Sequence, residues 1–264
     1  MKTEVSAKQG LVRRLRVGPL NVEVYESTEA MGKAAADAAA ASLRALAAER
    51  QTVGMIFATG ASQLSTLAAL TSIPDLPWSQ VVGFHLDDYM GMPHNNPASF
   101  YKYLQQHLIS KVKLSQFYWV DNGGSPEEDC RSYAGLLRQH APQLCLIGIG
   151  ENGHLAFNDP AVADFNDPLD VKIATLDLPC RQQQANEGWF KSVDEVPKTA
   201  ITLTIPALMR VPHLIVSVPE RRKAHIVHRT LTEEISTRCP ATILRTHPHA
   251  TLYLDPESSA ELPG

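Results

Sequence analysis

The segment from Gly148 to Pro160 concentrates side chains that can hold, orient or transfer a proton. It contains His154 together with the carboxyl and amide groups of Glu151, Asn152, Asn158 and Asp159. Histidine changes its charge near neutral pH, and neighbouring carboxylates and amides can orient it. The composition predicts proton transfer on a polar small molecule. The alternative is a histidine that only satisfies the backbone of its own loop.

The same segment matches a dinucleotide-binding fingerprint at Gly148, Gly150 and Gly153. That fingerprint requires a helix that begins at the turn and contains the third glycine. Here Asn158-Asp159-Pro160 follows within a few residues, which is typical of a loop. The sequence therefore favours a loop and predicts no nicotinamide or flavin cofactor.

Two carboxylates, Asp87 and Asp88, directly follow the apolar run at 81–86. Adjacent carboxylates at a partly enclosed edge raise each other's pKa, which favours a general base near neutral pH. A solvated acidic turn and a Mg²⁺ site are the alternatives.

The turn Thr59-Gly60-Ala61-Ser62 joins an apolar run to a predicted helix. Glycine permits close approach of the backbone, the helix start presents free N–H groups, and two hydroxyls add donors, a combination that suits a phosphate monoester. The alternative is a tight turn with Ser62 as the helix N-cap. Lys223, one turn into a later helix, could reach a phosphate at the same edge, although most such lysines are solvated.

Other chemistry has little support. His225 and His228 at helical spacing and His247-Pro248-His249 are weak metal patterns, and there is no HExxH and no GxSxG motif. We therefore expect no metal and no serine-hydrolase nucleophile.

These residues must be positioned by an alternation of strands and helices. Strands are predicted at 21–25, 53–58, 81–86, 117–120, 144–149, 171–175, 213–218 and 251–254, and helices at about 29–49, 62–70, 99–108, 127–140 and 220–231. Such alternation predicts a single-domain α/β protein with a mostly parallel sheet covered by helices on both faces. The polar groups follow strand ends, where open α/β sheets bind ligands.

Two segments fall outside this pattern. The polar stretch at about 161–197 is long enough to form a lid over a site. Residues 1–20 are interpreted as an N-terminal extension to a domain spanning 21–264. Because 11–16 and 21–25 both alternate around Gly18-Pro19, the extension would form a hairpin or an oligomer contact.

Composition excludes several classes of protein. The 264 residues carry a formal net charge of −4, with 20% charged and 44% hydrophobic residues. The mild acidity argues against nucleic-acid binding, which needs clustered basic residues. No apolar run is long enough to span a bilayer, and the N-terminus lacks the apolar region of a signal peptide. The four widely spaced cysteines fit reduced thiols in the cytoplasm.

Several blocks together resemble the glucosamine-6-phosphate deaminase family, within a superfamily that also holds 6-phosphogluconolactonases and ribose-5-phosphate isomerases. The resemblance covers about residues 20–256 in the same order. The blocks are Thr59–Ser62, Phe84–Pro93 with Ser99–Tyr101, Gly150–Pro160, Val196–Leu203, Lys223-Ala224 and Cys239–Pro248.

The resemblance implies a three-layer α/β/α Rossmann-like fold and a cofactor-free, metal-free reaction. An amino sugar 6-phosphate would be opened, isomerised from aldose to ketose and hydrolysed to fructose 6-phosphate and ammonia. Asp87 would be the base at C2, and His154 would transfer the ring-opening proton, oriented by Asn152 and Asp159. The phosphate would be held by Thr59, Gly60, Ala61, Ser62 and Lys223, with Asp88 and Gly153 in the substrate pocket.

The chain departs from the family pattern at several positions. Ala61-Ser62-Gln63 replaces a common Gly-Thr-Pro, Asp88 replaces a common glutamate, and Gly188 stands where well-studied members have a phosphate-binding arginine. Arg181, Lys191, Arg221 or Arg222 are the candidates to compensate. Asp159 replaces a longer glutamate, so its bond to the histidine would run through water.

Regulated members of the family carry a pair of basic residues in the lid strand. This chain keeps at most one of the two, Lys172. The sequence thus predicts no activation by N-acetylglucosamine 6-phosphate. The alternative functions are a 6-phosphogluconolactonase and a non-catalytic sugar-phosphate sensor. The sugar epimer stays open, and so does homo-oligomerisation.

Overall fold

The computed structural model describes residues 9–121 and 123–263. The strands are β1 (Leu11–Val17), β2 (Leu20–Tyr25), β3 (Val53–Phe57), β4 (Val81–His85), β5 (Asp87–Tyr89), β6 (Gln116–Tyr118), β7 (Leu144–Ile147), β8 (Val171–Thr175), β9 (Thr199–Leu203), β10 (His213–Val218) and β11 (Ala250–Leu254). The α-helices are α1 (Thr28–Glu49), α2 (Leu64–Ser72), α3 (Phe100–Leu104), α4 (Pro126–His140), α5 (Leu178–Asn186), α6 (Ile205–Met209) and α7 (Ala224–Thr232).

Eight strands form the main sheet in the order β1-β2-β11-β10-β7-β3-β4-β6. All neighbours are parallel except β1 and β2, which pair as an antiparallel hairpin. The hairpin that the alternation around Gly18 suggested is therefore present at the sheet edge.

Helices cover both faces of this sheet because its central strands are apolar on both sides. In β3, Met55 and Phe57 pack towards α1 and α2, whereas Ile56 faces the opposite core with Cys145 and Val216. Strands buried on both faces are typical of parallel sheets. The predicted α/β fold with a mostly parallel sheet is confirmed.

Helix α1 packs closely against α2, which follows the turn Thr59–Ser62. Ser27 caps α1 by accepting the N–H of Ala30, and alanine favours the helix throughout. At Gly32 an added Cβ would lie 2.5 Å from the side chain of Ser65. Glycine at this position therefore lets α1 and α2 approach closely.

A second, three-stranded antiparallel sheet has the order β5-β9-β8. The sequence predicted β8 but neither β5 nor β9. In the structure Asp87 pairs with Thr202 and Asp88 with Ile201, so the alternative of a solvated acidic turn is wrong. The segment interpreted as a lid also contains α5, which the sequence did not predict. The helix expected at 99–108 is α3 followed by a π-helix at Gln105–Ile109.

All four cysteines lie within the described residues, are buried, and form no disulfide. Among the described helices, none combines the length and apolar character that crossing a bilayer requires.

Candidate active site

A pocket that is open to solvent lies at the carboxyl ends of four adjacent strands. Its residues follow β10, β7, β3 and β4, which are neighbours in that order. The predicted residues that line the pocket are Thr59, Gly60, Ala61, Ser62, Asp87, His154 and Lys223. The topology thus brings together three groups that are far apart in sequence.

Hydrogen bonds to the side chain of Asn152 and to Asp159 fix His154. Its Nδ1 lies 2.7 Å from Oδ1 of Asn152 and 3.0 Å from Oδ1 of Asp159. Because both neighbours present acceptor oxygens, Nδ1 carries the proton and Nε2 is the nitrogen left for a ligand. Asn152 and Asp159 thus lie behind the histidine, outside the pocket wall.

Asp159 itself is held from three sides. It is fully buried. Asn152 donates to its Oδ1 at 3.0 Å, and the backbone N–H of Asp177 donates to its Oδ2 at 3.0 Å. Burial opposes ionisation, but the bonds from His154, Asn152 and Asp177 outweigh it and hold the pKa of Asp159 below its usual value. The expectation that the shorter aspartate contacts the histidine through water is wrong, since the contact is direct.

The glycines of the apparent dinucleotide fingerprint have packing roles. A Cβ on Gly150 would lie 2.1–2.3 Å from ring atoms of His154, and one on Gly148 would lie 2.6 Å from Oγ of Ser62. Gly153 has φ +89° and approaches Cys239. No helix begins at this turn, so the loop interpretation is supported. Gly153, which was expected in the substrate pocket, is not among the residues that line it.

Asp87 and Asp88 point to different environments because they are successive residues of β5. Asp87 lines the pocket and is 5% exposed. Burial, and then the charge of Asp88, raise the pKa of Asp87 well above its usual value. Asp88 accepts the N–H of Tyr89 at 2.8 Å and lies 3.9 Å from Nδ1 of His85, away from the pocket. Burial raises the pKa of Asp88 to about 7.

The turn after β3 has the features of an anion site. Gly60 adopts φ +92°, a conformation that favours glycine, and its carbonyl accepts the hydroxyl of Tyr103 at 2.9 Å. A short 3₁₀ turn, Ala61–Gln63, then leads into α2. Ser62 makes no N-cap bond; instead it accepts a bond from Gln63 at 3.0 Å. The free N–H groups and the Ser62 hydroxyl suit an anion.

Three cations lie on another 3₁₀ turn after β10, Arg221–Lys223, and two of them line the pocket. Lys223 is 3% exposed, and its amine donates to the carbonyl of Ile149 at 2.9 Å. Burial lowers its pKa to about 8, although Glu187 opposes this. Arg222 also lines the pocket, and its guanidinium contacts Glu151, Glu187 and Glu220.

Of the four residues proposed to compensate for Gly188, only Arg222 lines the pocket. Arg181 instead donates to the carbonyls of Val193 and Val196, which fixes the end of the lid segment. Sequence reasoning missed three pocket residues from the lid, Gln183, Gln184 and Glu187. Gln183 and Gln184 are buried on α5 and Glu187 directly follows that helix. No motif marks these positions, and only the run of glutamines at 182–184 is an unusual signal.

One group of metal-binding residue types lies behind the pocket. Donor atoms of His154, Asp159 and Cys180 all lie within 4.8 Å of one another. However, burial and then Asp159 raise the pKa of the Cys180 thiol well above its usual value, so the thiolate that a metal requires is disfavoured. The hydrogen-bonded histidine accounts for this cluster without a metal.

Lys172, the basic residue predicted in the lid strand, is engaged within its own segment. Its amine donates to the carbonyl of Val162 at 2.7 Å and to Asp167 at 2.9 Å. Its charge is therefore already paired.

Known proteins match both the sequence and the fold. The family model described as glucosamine-6-phosphate isomerases/6-phosphogluconolactonase matches residues 26–169. The glucosamine-6-phosphate deaminase of Bacillus cereus (strain G9842) is 35% identical over 212 residues, covering 80% of this chain and 78% of that protein. The protein of the same name from Bacillus anthracis (strain A0248) is 34% identical over the same shares.

Two solved structures are also similar. A monomeric glucosamine-6-phosphate deaminase aligns with a TM-score of 0.82 and 26% identity, covering 92% of this chain and 99% of that chain. A 6-phosphogluconolactonase from Thermotoga maritima aligns with a TM-score of 0.73 and 17% identity, covering 89% of this chain and 99% of that chain. At this low identity, the similarity shows the fold alone. The predicted resemblance is confirmed: the chain belongs to the glucosamine-6-phosphate isomerase/6-phosphogluconolactonase family.

Proposed function

We propose that this protein is an amino sugar 6-phosphate deaminase that converts glucosamine 6-phosphate to fructose 6-phosphate and ammonia. The observation that carries the proposal is the presence of Asp87, His154 and the turn Thr59–Ser62 in one pocket at adjacent strand ends. A base, a proton-transfer group and a phosphate site are the three parts that the reaction needs. This agrees with the function predicted from the sequence and with the names of the relatives.

The phosphate end of the substrate fixes the sugar in the pocket. Backbone N–H groups of the Gly60–Ser62 turn, the Ser62 hydroxyl and the Lys223 ammonium are its donors. Within the part of the chain that the structure describes, the Lys223 amine makes one hydrogen bond, to the carbonyl of Ile149, and an ammonium has three donors. Holding the phosphate places the other end of the sugar at Asp87 and His154.

His154 opens the sugar ring by transferring a proton between the ring oxygen and the C1 hydroxyl through Nε2. Its Nδ1–H stays bonded to Asn152 and Asp159, which also stabilise the charged imidazolium. Asp87 then removes the C2 proton and returns it at C1. This converts the open 2-amino aldose into the C2 imine of the corresponding ketose. Water adds at C2 and ammonia leaves. Placed proton transfer of this kind contributes roughly 10²–10⁴-fold to a rate.

The deciding experiment is ammonia release from glucosamine 6-phosphate in a coupled assay. We expect turnover by the wild type and none by Asp87→Asn, because an amide cannot accept the C2 proton. Asp170→Asn is the matched control, since Asp170 pairs with Arg138 and Arg210 outside the pocket. Lactone hydrolysis without ammonia release would favour a 6-phosphogluconolactonase, and substrate binding without any product would favour a sensor.

A further inference from the structure

One carboxylate lies among the groups proposed to bind the phosphate. Glu187 follows α5 in the lid segment, and its side chain is only 5% exposed. Its Oε1 accepts bonds from Arg222 at 2.9 Å and Gln183 at 2.8 Å, and its Oε2 accepts one from Trp189 at 3.1 Å. These three bonds fix the carboxylate against the pocket that it lines.

This carboxylate lies beside the phosphate turn. A Cβ placed on Gly60 would lie 3.9 Å from Oε2 of Glu187. Tyr103, whose hydroxyl donates to the Gly60 carbonyl, also lies near Glu187. Burial is the first cause of its raised pKa, and the charge of Glu187 is the second. An anion held by the N–H groups of this turn therefore lies next to a carboxylate.

Glu187 is ionised at neutral pH. Burial opposes its charge, but Arg222, Gln183 and Lys223 outweigh burial and hold its pKa below the usual value. The charged or titratable groups around it lie on several elements: Arg222, Lys223 and Glu220 on the turn after β10, Glu151 on the loop after β7, Tyr103 on α3 and Tyr89 on β5. Because Arg222 contacts three carboxylates, its charge is largely compensated before any ligand binds.

A carboxylate in this position discriminates between anions by their protons. A fully ionised anion is repelled, whereas a phosphate that keeps one proton can donate a short O–H bond to the carboxylate. Phosphate monoesters lose that second proton only near pH 6, while sulfate has none to donate. We propose that Glu187 determines the specificity of the phosphate end, selecting a protonated phosphate over fully ionised anions; this rests on the proposed function for the identity of the anion site.

The test is calorimetric binding of inorganic phosphate and of sulfate at about pH 6.5, where phosphate still carries protons and Lys223 is charged. We expect the wild type to bind phosphate at least about tenfold more tightly than sulfate, a difference of about 1.4 kcal/mol. In Glu187→Gln sulfate should tighten about tenfold, so that the ratio approaches one. Glu151→Gln is the matched control, because it removes another carboxylate partner of Arg222 that does not line the pocket, and its ratio should stay near that of the wild type.

Equal binding of the two anions by the wild type would overturn the inference, as would a Glu187→Gln ratio like that of the wild type. Circular dichroism checks the fold of each variant, and Glu187→Ala repeats the loss of charge without the amide. Ammonia release is measured on the same preparations. Anion selectivity without ammonia release would reject the deaminase activity and keep the role of Glu187. Ammonia release without anion selectivity would keep the deaminase activity and reject the role of Glu187.

Discussion

Oδ1 of Asp159 lies 3.0 Å from Nδ1 of His154, with no atom between them. The aspartate is buried and accepts further bonds from the side chain of Asn152 and the backbone N–H of Asp177. His154, Asn152 and the backbone of Asp177 all donate to this carboxylate. The shorter side chain therefore orients the histidine directly, and its position is fixed by the lid segment that contains Asp177.

Asp159→Asn should lower kcat by roughly 10²-fold or more, with a smaller change in KM. The variant's amide must turn its NH₂ group towards one of the donors, which costs about 1–3 kcal/mol and disturbs the histidine tautomer. Ammonia release measures kcat, and thermal unfolding shows whether the fold survives. An unchanged kcat would mean that Asn152 alone orients His154.

The sequence indicated most of the strands whose ends meet at the pocket, but not the strand that carries Asp87. Thr59–Ser62, His154 and Lys223 follow apolar strands that are evident from the sequence alone, and parallel topology places those strand ends together. Strand β5 was missed because Asp87–Tyr89 is short and rich in carboxylates. Its partner β9 lies far along the chain, so no local pattern indicates the pairing.

The lid residues illustrate a different limit. The family resemblance indicated that glycine replaces an arginine at position 188. It did not indicate that the neighbouring Glu187 would line the pocket. That placement depends on where α5 ends and on contacts with Arg222 and Gln183. Such tertiary contacts between distant segments leave no periodic signal in one sequence.

Asp88→Asn should shift the acidic limb of kcat/KM to lower pH. Asp87 acts only when ionised, so its raised pKa makes activity fall as the pH drops through that pKa. Burial is the first cause of the raised pKa and the charge of Asp88 the second, so the variant removes the second cause. A pH–rate series for ammonia release measures the limb. In the control variant Asp170→Asn, the acidic limb of kcat/KM should stay at its wild-type pH. If the limb also stayed there in Asp88→Asn, the assignment of Asp87 as the base would be contradicted.

Phosphate affinity should weaken above pH 8. Burial lowers the pKa of Lys223 to about 8, and only the protonated amine attracts the phosphate. The inhibition constant of fructose 6-phosphate, which carries no amine of its own, should therefore rise up to about tenfold per pH unit beyond that point. Lys223→Arg keeps its charge at all these pH values, and its inhibition constant should lack this rise. The same rise in that variant would assign the pKa to another group.

The rate should depend hyperbolically on glucosamine 6-phosphate and should not respond to N-acetylglucosamine 6-phosphate. Lys172 is paired with Asp167 and with the carbonyl of Val162, so it has no free charge to offer an effector phosphate. Initial rates measured over a range of substrate, with and without the effector, check this. A sigmoidal curve that responds to the effector would show that another basic site performs the regulation.

Gly150→Ala should abolish most activity while the protein still folds. The added Cβ would lie 2.1–2.3 Å from ring atoms of His154, so the ring must move away from Asn152 and Asp159. Gly150 does not have a positive φ, and alanine is therefore compatible with the backbone itself. We expect a loss in kcat of roughly 10²-fold, comparable with removing placed proton transfer.

Gly135→Ala provides the matched comparison for that variant. Gly135 lies inside α4, and nothing is within 4 Å of the position its Cβ would take. Alanine in a helix interior stabilises by about 0.5–1 kcal/mol relative to glycine. Urea unfolding should thus show a more stable protein with wild-type turnover. If Gly150→Ala kept its activity, the histidine ring would not be held against Gly150, and the proposed orientation of Nε2 towards the substrate would have to be abandoned.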